Sequence, residues 1–326
     1  MRVEFFFKAQ SELSALATFM MAYQQSATLA STKLSPIIPQ PLFSRFNLAN
    51  KVKNDNLLAS AKNIMNVMPA ANVCVHYSLK YNSQKSVDES FAYFSGFVSK
   101  AEQMGVAEIL IISGSGDKKA FNTVTCLEML RVSKIATSVD IAIAFNPYFP
   151  DPKMRAKEVE RLNSKLSTGM VSTIYLQFGS DLTHLREGLI ALQNSLDSFQ
   201  KSDVHKKRNA EDIKVIGSVM IPSKQLLARM KFRPWNGVFL SELFLSDVPA
   251  AEKIVLEMLS IYRTFEVEPL VETAFKTDHD AAHVLHLLSE PNMTREKVEE
   301  KVVTEATGMP TVEGTDLPKK RKITSH

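Results

Sequence analysis

Two stretches of this sequence carry residue types that can do chemistry. LIISGSGDKK (110–119) runs from an apolar segment into two glycines, two serines and an acid. Glycines let backbone N–H groups approach an anion closely, and Asp117 would add a carboxylate. The same stretch also reads as a plain turn between a strand and a helix. VEFFF (3–7) sets Glu4 beside three phenylalanines. Desolvation raises a carboxyl pKa, which suits an acid working near neutral pH. Taken alone, Glu4 reads equally well as a charge at a strand edge. A third stretch, TDHDAAHVLHL (277–287), spaces His279, His283 and His286 at i, i+4 and i+7, with Asp278 and Asp280 adjacent. Two histidines at i and i+4 can bind zinc. No partner motif accompanies them, so a helix docking on the body of the protein is the better reading, and no metal site is expected.

The elements that must position these residues alternate. VEFFF reads as a strand, with a helix over about 11–30. LSPIIPQ (34–40) is a Pro-punctuated second strand or a loop, followed by a helix over 54–68. NVCVHY (72–77), AEILII (107–112), DIAIAF (140–145), STIYL (172–176) and KVIGSVM (214–220) read as further strands. GVFL (237–240) reads as the eighth. Helices are predicted over 88–104, 123–136, 153–168, 182–199, 223–232 and 248–265, with Gly105 and Gly169 as stops. Most strands are continuously apolar, as parallel strands buried on both faces are. The order fits a doubly wound sheet or a (β/α)8 barrel, and eight units in about 250 residues match the TIM barrel well. The barrel is assigned to 1–290. The remainder, 291–326, is assigned to a helical extension and a disordered basic tail.

In a barrel, strand C-termini face the active site. Pattern alone places Glu4, Ser78, the 113–117 loop, Asn146, Gln177, Asp181, Ser241 and Glu242 there. Singly, Gln177 and Asp181 also read as ordinary polar loop residues.

Composition narrows the function classes. The net charge of +4 from 39 basic and 35 acidic residues is matched by Lys319, Lys320, Arg321 and Lys322 alone. A near-neutral body gives no reason to expect nucleic-acid binding. No stretch approaches the roughly 20 apolar residues of a membrane span. The two cysteines, Cys74 and Cys126, sit in apolar runs and read as buried thiols of a reducing compartment. MRVEFFFKAQ reads as neither a signal nor a transit peptide. A cytoplasmic location is expected, with PKKRK (318–322) leaving nuclear import as the alternative.

Several segments resemble the methylenetetrahydrofolate reductase family, a flavin-dependent (β/α)8 barrel. VEFFF at 3–7 resembles its first strand, and VHYS at 75–78 its His-x-Thr segment. LNSKLSTGM at 162–170 resembles its Leu-x-x-Lys-x-x-x-Gly helix end. LQFGSD at 176–181 resembles its Thr-Gln-Phe-Phe-Phe-Asp strand end, and VIGSVMIPSKQ at 215–225 its Pro-Gly-Ile-x-Pro segment. The matches occur in order from residue 3 to about 240.

The resemblance implies reduction of 5,10-methylenetetrahydrofolate to 5-methyltetrahydrofolate by NADH or NADPH through FAD. It implies Glu4 as general acid, Gln177 as a contact to folate and flavin, and Asp117 as a flavin and pterin contact. Ser78, Lys165 and the Ser113, Gly114, Ser115 and Gly116 stretch would hold the cofactor. Read without the resemblance, Lys165 is a solvated lysine of a charged helix. The implied protein is a catalytic barrel without the family's regulatory domain. Its partner would be a small-molecule folate, and assembly into a homo-oligomer is left open.

Two loops depart from the family. Its Arg-Gly-Asp is here SGSGD, which matches either as Ser115-Gly116-Asp117 or as Ser113-Gly114-Ser115; the arginine is lost in both registers. Its Tyr-Pro-x-x-His-Pro is here Phe145-Asn-Pro-Tyr-Phe-Pro150. These losses favour a second reading, a folate-binding or protein-interaction barrel that has given up flavin reduction. A flavin enzyme acting on another pterin-like substrate is a third.

Overall fold

The computed structural model describes residues 2–5, 45–48, 54–67, 71–113, 120–133, 138–201, 213–272 and 283. Among them, eight parallel strands close into a barrel in sequence order. They are β1 (Arg2–Phe5), β2 (Arg45–Leu48), β3 (Asn72–Ser78), β4 (Glu108–Ile112), β5 (Asp140–Phe145), β6 (Thr173–Leu176), β7 (Lys214–Met220) and β8 (Glu268–Glu272). β1 pairs with β8 to close the ring. This is the (β/α)8 architecture that the alternating pattern predicts. Residues 284–326 lie outside the described residues.

Period-two alternation sorts each strand into two layers. On β3, Val73, Val75 and Tyr77 belong to the large apolar layer between sheet and helices. Cys74 belongs instead to a separate cluster inside the barrel, with Leu110, Ala142, Tyr175, Ile216 and Leu270. His76 and Ser78 follow Cys74 at the same period and face the same way.

Caps start the helices that follow the strands. Ser86 accepts from Glu89 N at 3.1 Å, Asp181 from His184 N at 2.9 Å, and Asp247 from Ala250 N at 2.8 Å. Each is worth about 1 kcal/mol. Gly105 and Gly169, at φ 79° and 68°, end helices in the left-handed region that other residues enter at a cost.

Two strand expectations need correction. The second strand is RFNL at 45–48; LSPIIPQ lies outside the described residues. The eighth strand is EPLVE at 268–272, not GVFL. Of GVFL, Phe239 makes one isolated bridge, to Gly179. EPLVE carries an acid at each end and a proline, so it lacks a strand's apolar signature. It is a strand because the ring has to close. The expected helix over 11–30 and the 291–326 extension and tail, PKKRK included, also lie outside the described residues.

The floor of the barrel is a polar network. Arg2 Nη1 donates to Glu108 Oε2 at 2.9 Å, to Tyr175 Oη at 2.5 Å and to Asn47 Oδ1 at 3.2 Å. Tyr175 in turn donates to Glu108 Oε2, and Thr173 Oγ1 donates to Glu108 Oε1 at 2.5 Å. All five residues are buried. Removing one partner of such an ion pair strands the other. Arg2→Met should therefore lower stability by about 3–5 kcal/mol in urea unfolding, and adding Glu108→Leu should recover most of the loss. A single variant no less stable than wild type would show that the pair does not hold the floor.

Candidate active site

The carboxyl-terminal mouth of the barrel is built on β1, β2, β3 and β8. Glu4 lies in register with Asn47 of β2 on one side and Glu272 of β8 on the other. His76 of β3 reaches across β2, placing Nε2 3.6 Å from Glu4 Oε2. Two side chains from non-adjacent strands meet only inside the ring. Glu4 and His76 are buried, at 6% and 5% exposure.

Asn47 settles the protonation of His76. Its Oδ1 receives Arg2 Nη1 at 3.2 Å and Tyr175 Oη at 3.4 Å. A guanidinium only donates, so the amide oxygen faces the floor and Nδ2 faces upward. That nitrogen lies 3.1 Å from His76 Nε2. An amide N–H donates, so Nε2 accepts and the ring proton sits on Nδ1. Burial, and then the Arg2 charge, push the imidazole pKa down to about 3. His76 is therefore neutral at neutral pH, and its approach to Glu4 is not an ion pair.

Glu4 is the opposite case. Burial, and then the Glu272 carboxylate, push its carboxyl well above the ordinary range. Glu272 is itself raised by burial, partly offset by a hydrogen bond from the Ser218 hydroxyl. Tyr262 steadies this corner: its Oη donates to Ser218 O at 3.1 Å. Its ring lies where a Cβ on Gly217 would approach Cζ to 2.3 Å. The mouth thus holds a carboxylic acid beside an uncharged imidazole, an arrangement able to deliver a proton to a ligand nitrogen or oxygen.

The far rim is made by β5, β6 and the 235–241 segment. Gln177 N donates to Phe145 O at 2.8 Å, and Gln177 Oε1 accepts from Phe178 N at 3.0 Å. Asn146 Nδ2 donates to Gly237 O at 2.9 Å. Ser180 N donates to Phe239 O at 3.2 Å, and the Phe149 and Phe239 rings meet with centroids 5.5 Å apart. The stretch read as an eighth strand is thus a flap laid over the ends of β5 and β6.

The other residues singled out in the sequence go elsewhere. Ser78 is buried at the end of β3, with its carbonyl accepting from Asn82 Nδ2 at 2.8 Å. Ser113 is exposed at the end of β4, its Oγ 2.6 Å from Thr123 Oγ1. Lys165 is not solvated: it is 8% exposed, and its Nζ donates to Ala144 O at 2.8 Å. Burial lowers its pKa. Asp181 and Ser241 are helix caps. Gly114, Ser115, Gly116 and Asp117 lie outside the described residues, as do His279 and His286. His283 Nε2 is 3.2 Å from Glu252 Oε1. Among the described residues no cluster of metal-ligating side chains occurs, and no helix is long and apolar enough to cross a membrane.

The sequence reading missed His76, Asn47 and Glu272. His76 was legible, because it follows Cys74 by two on a strand whose Val73 and Val75 are plainly outward. Asn47 and Glu272 were not, since both belong to strands with weak β character.

No protein-family model and no curated protein matches the chain. Solved structures do. An uncharacterized protein from Clostridium thermocellum that binds two copies of 5-methyl-5,6,7,8-tetrahydrofolic acid is 8% identical, over 89% of this chain and 92% of that one, with a TM-score of 0.49. A 2,3-dimethylmalate lyase is 13% identical over 95% and 93%, with a TM-score of 0.41. The catalytic domain of a Pyrococcus furiosus chitinase is 8% identical over 74% and 80%, with a TM-score of 0.42. Likeness at this level carries no argument about chemistry; the barrel rests on its own strand order.

Two measurements check the site. Nitrogen NMR should find His76 as the neutral Nδ1–H tautomer with no titration between about pH 8 and about pH 5; a midpoint near the ordinary 6.5 would refute the assignment. The second concerns Glu4, which keeps its proton in the folded protein at pH values where the unfolded chain, near 4.5, has released it. Its contribution to stability is therefore full below that value and lost as pH rises through the folded pKa. Glu4→Gln does not titrate, so its Tm should fall less than that of wild type between about pH 5 and about pH 8. Each kcal/mol relieved should appear as roughly 2–4 °C. Parallel curves would show that Glu4 is ionised.

Proposed function

We propose that this chain is a barrel enzyme resembling the methylenetetrahydrofolate reductases, with a reduced folate as ligand and Glu4 as general acid. The observation that carries the reading is the buried Glu4 carboxyl at the mouth, 3.6 Å from His76 Nε2 and in register with Glu272, where burial and then Glu272 raise its pKa. In this reading the Glu4 proton passes to the bridge nitrogen of 5,10-methylenetetrahydrofolate as its C–N bond breaks. The bond electrons stay on that nitrogen, Glu4 is left as carboxylate, and the remaining iminium is the species that a hydride reduces to the 5-methyl product. His76 accepts from Asn47 and so does not compete for the proton. Gln177, on the rim opposite, would contact the pterin.

The reductive half, FAD reduced by NADH or NADPH, rests on the sequence resemblance. The described residues do not fit a flavin by themselves. Lys165 is turned inward onto Ala144 O, Ser113 Oγ is engaged with Thr123, and Phe149 lies against Phe239. The inward Lys165 favours a second reading, a barrel that binds reduced folate without reducing it.

The absorption spectrum of the purified protein, before and after adding FAD and removing the excess, separates the two. A retained flavin band, with reduced-nicotinamide oxidation dependent on methylenetetrahydrofolate, supports the enzyme. Glu4→Gln should then lower kcat by about 10²- to 10⁴-fold. Turnover that survives this change removes Glu4 from the mechanism. Calorimetric binding of 5-methyltetrahydrofolate with no flavin band selects the binder.

A further inference from the structure

We propose that Glu272 is a positioning residue: Glu4 and Glu272 form a carboxyl pair holding a single proton, which resides on Glu4 because Glu272 is the ionised member. The inference deepens the reading of Glu4 as an acid, but its geometry stands without any ligand.

The pair is a product of barrel closure. β1 and β8 lie at opposite ends of the described barrel sequence, and their pairing puts Glu4 and Glu272 side by side as register partners. Like charges at such separation cannot both be ionised cheaply, so one carboxyl keeps a proton. The surroundings decide which. Glu4 Oε2 lies 3.6 Å from His76 Nε2, a nitrogen that carries no proton because it accepts from Asn47 Nδ2 at 3.1 Å. With no N–H to offer, that nitrogen gives a carboxylate on Glu4 no stabilising partner. On the other side, Glu272 accepts the Ser218 hydroxyl, which favours its ionised form. Burial disfavours charge on both carboxyls, but only Glu272 has a hydroxyl hydrogen bond to offset it.

The charged and titratable groups around the pair are few among the described residues. From β1 the nearest is Arg2, one inward position below Glu4, with its charge engaged by Glu108. β3 presents His76. β7 presents Ser218 and Met220, the latter in register with Glu272. The helix Val248–Thr264 presents Tyr262, whose own pKa burial raises. None supplies a cation that would let both carboxyls ionise. The consequence is an acid that stays loaded at neutral pH, with Glu272 setting the pH at which it empties.

The test is a carboxyl-carbon NMR titration of full-length protein labelled at glutamate, in wild type and in the Glu4→Gln, Glu272→Gln and Glu272→Asp variants. The expected wild-type spectrum contains a carboxyl titrating well above the others, lost in Glu4→Gln and thereby assigned to Glu4. Glu272→Gln should weaken the proton affinity of Glu4 by roughly tenfold or more, and Glu272→Asp, which keeps the charge, should restore most of it. A Glu4 midpoint unmoved by Glu272→Gln, or a high-titrating signal that belongs to Glu272, overturns the proposal. If Glu272→Gln does not fold, an unshifted Glu4 in Glu272→Asp combined with an ordinary Glu4 midpoint in wild type overturns it equally. Where turnover is present, the alkaline limb of the kcat/KM profile should move toward lower pH in Glu272→Gln. A shifted titration with no folate turnover in wild type keeps the pair and removes the proposed reaction; turnover with an unshifted titration does the reverse.

Discussion

A guanidinium buried inside a barrel has to be neutralised where it stands, and the arrangement of the mouth follows from how Arg2 is neutralised. Glu108 meets it from β4, Tyr175 from β6 and Asn47 from β2, so one side chain ties together four strands. A buried pair of this kind contributes little net stability, because desolvation offsets the attraction. Its effect is directional. Arg2 claims the oxygen of Asn47, so the amide nitrogen must point at His76. The guanidinium charge also keeps the imidazole from accepting a proton. The state of the acid site is thereby set one layer below it.

Along each strand the interior changes character in steps of two residues. β4 runs Glu108, Leu110, Ile112 from floor to mouth, and β3 runs Cys74, His76, Ser78. An apolar belt of Cys74, Leu110, Ala142, Ile216 and Leu270 occupies the middle. The Cys74 thiol in that belt is pushed up by burial and then by Glu108, so it remains a thiol and acts as packing. Glu4, buried with a second carboxyl beside it in register, is pushed well above the ordinary range by burial and then by Glu272.

The rim facing this acid is built differently. It is held by backbone and amide hydrogen bonds and an aromatic contact, with Glu158 and Arg155 bracing Asn146 N and the Phe149 carbonyl from outside. The 235–241 flap lies across Gly179, Ser180 and Asn146, and its turn is made possible by Gly237 at φ 80°. Lys165, a cation that could have reached the rim, is instead spent within the wall on a β5 carbonyl. The described mouth therefore has an acidic, uncharged-imidazole side and a neutral, amide-lined side.

Local physics made much of this legible from sequence. Alternating apolar strands and amphipathic helices with glycine stops fitted a doubly wound sheet or a barrel, and the number of units favoured the barrel, since these signals depend only on period and on neighbours a few residues away. The same reasoning located Glu4 and Gln177 at strand ends. It failed at RFNL and EPLVE, two strands of low β propensity that exist because a ring of eight must close, and it mistook the GVFL flap for a strand because an apolar run covers a surface as readily as it joins a sheet. The partners of Glu4 were out of its reach. His76, Asn47 and Glu272 lie 43 to 268 residues away along the chain, and only closure of β8 onto β1 makes the last of them a neighbour. Sequence determined that Glu4 is a carboxyl in an apolar run; tertiary structure decided the direction of its pKa shift, because burial inside the ring and then Glu272 across the β1–β8 seam disfavour its charge.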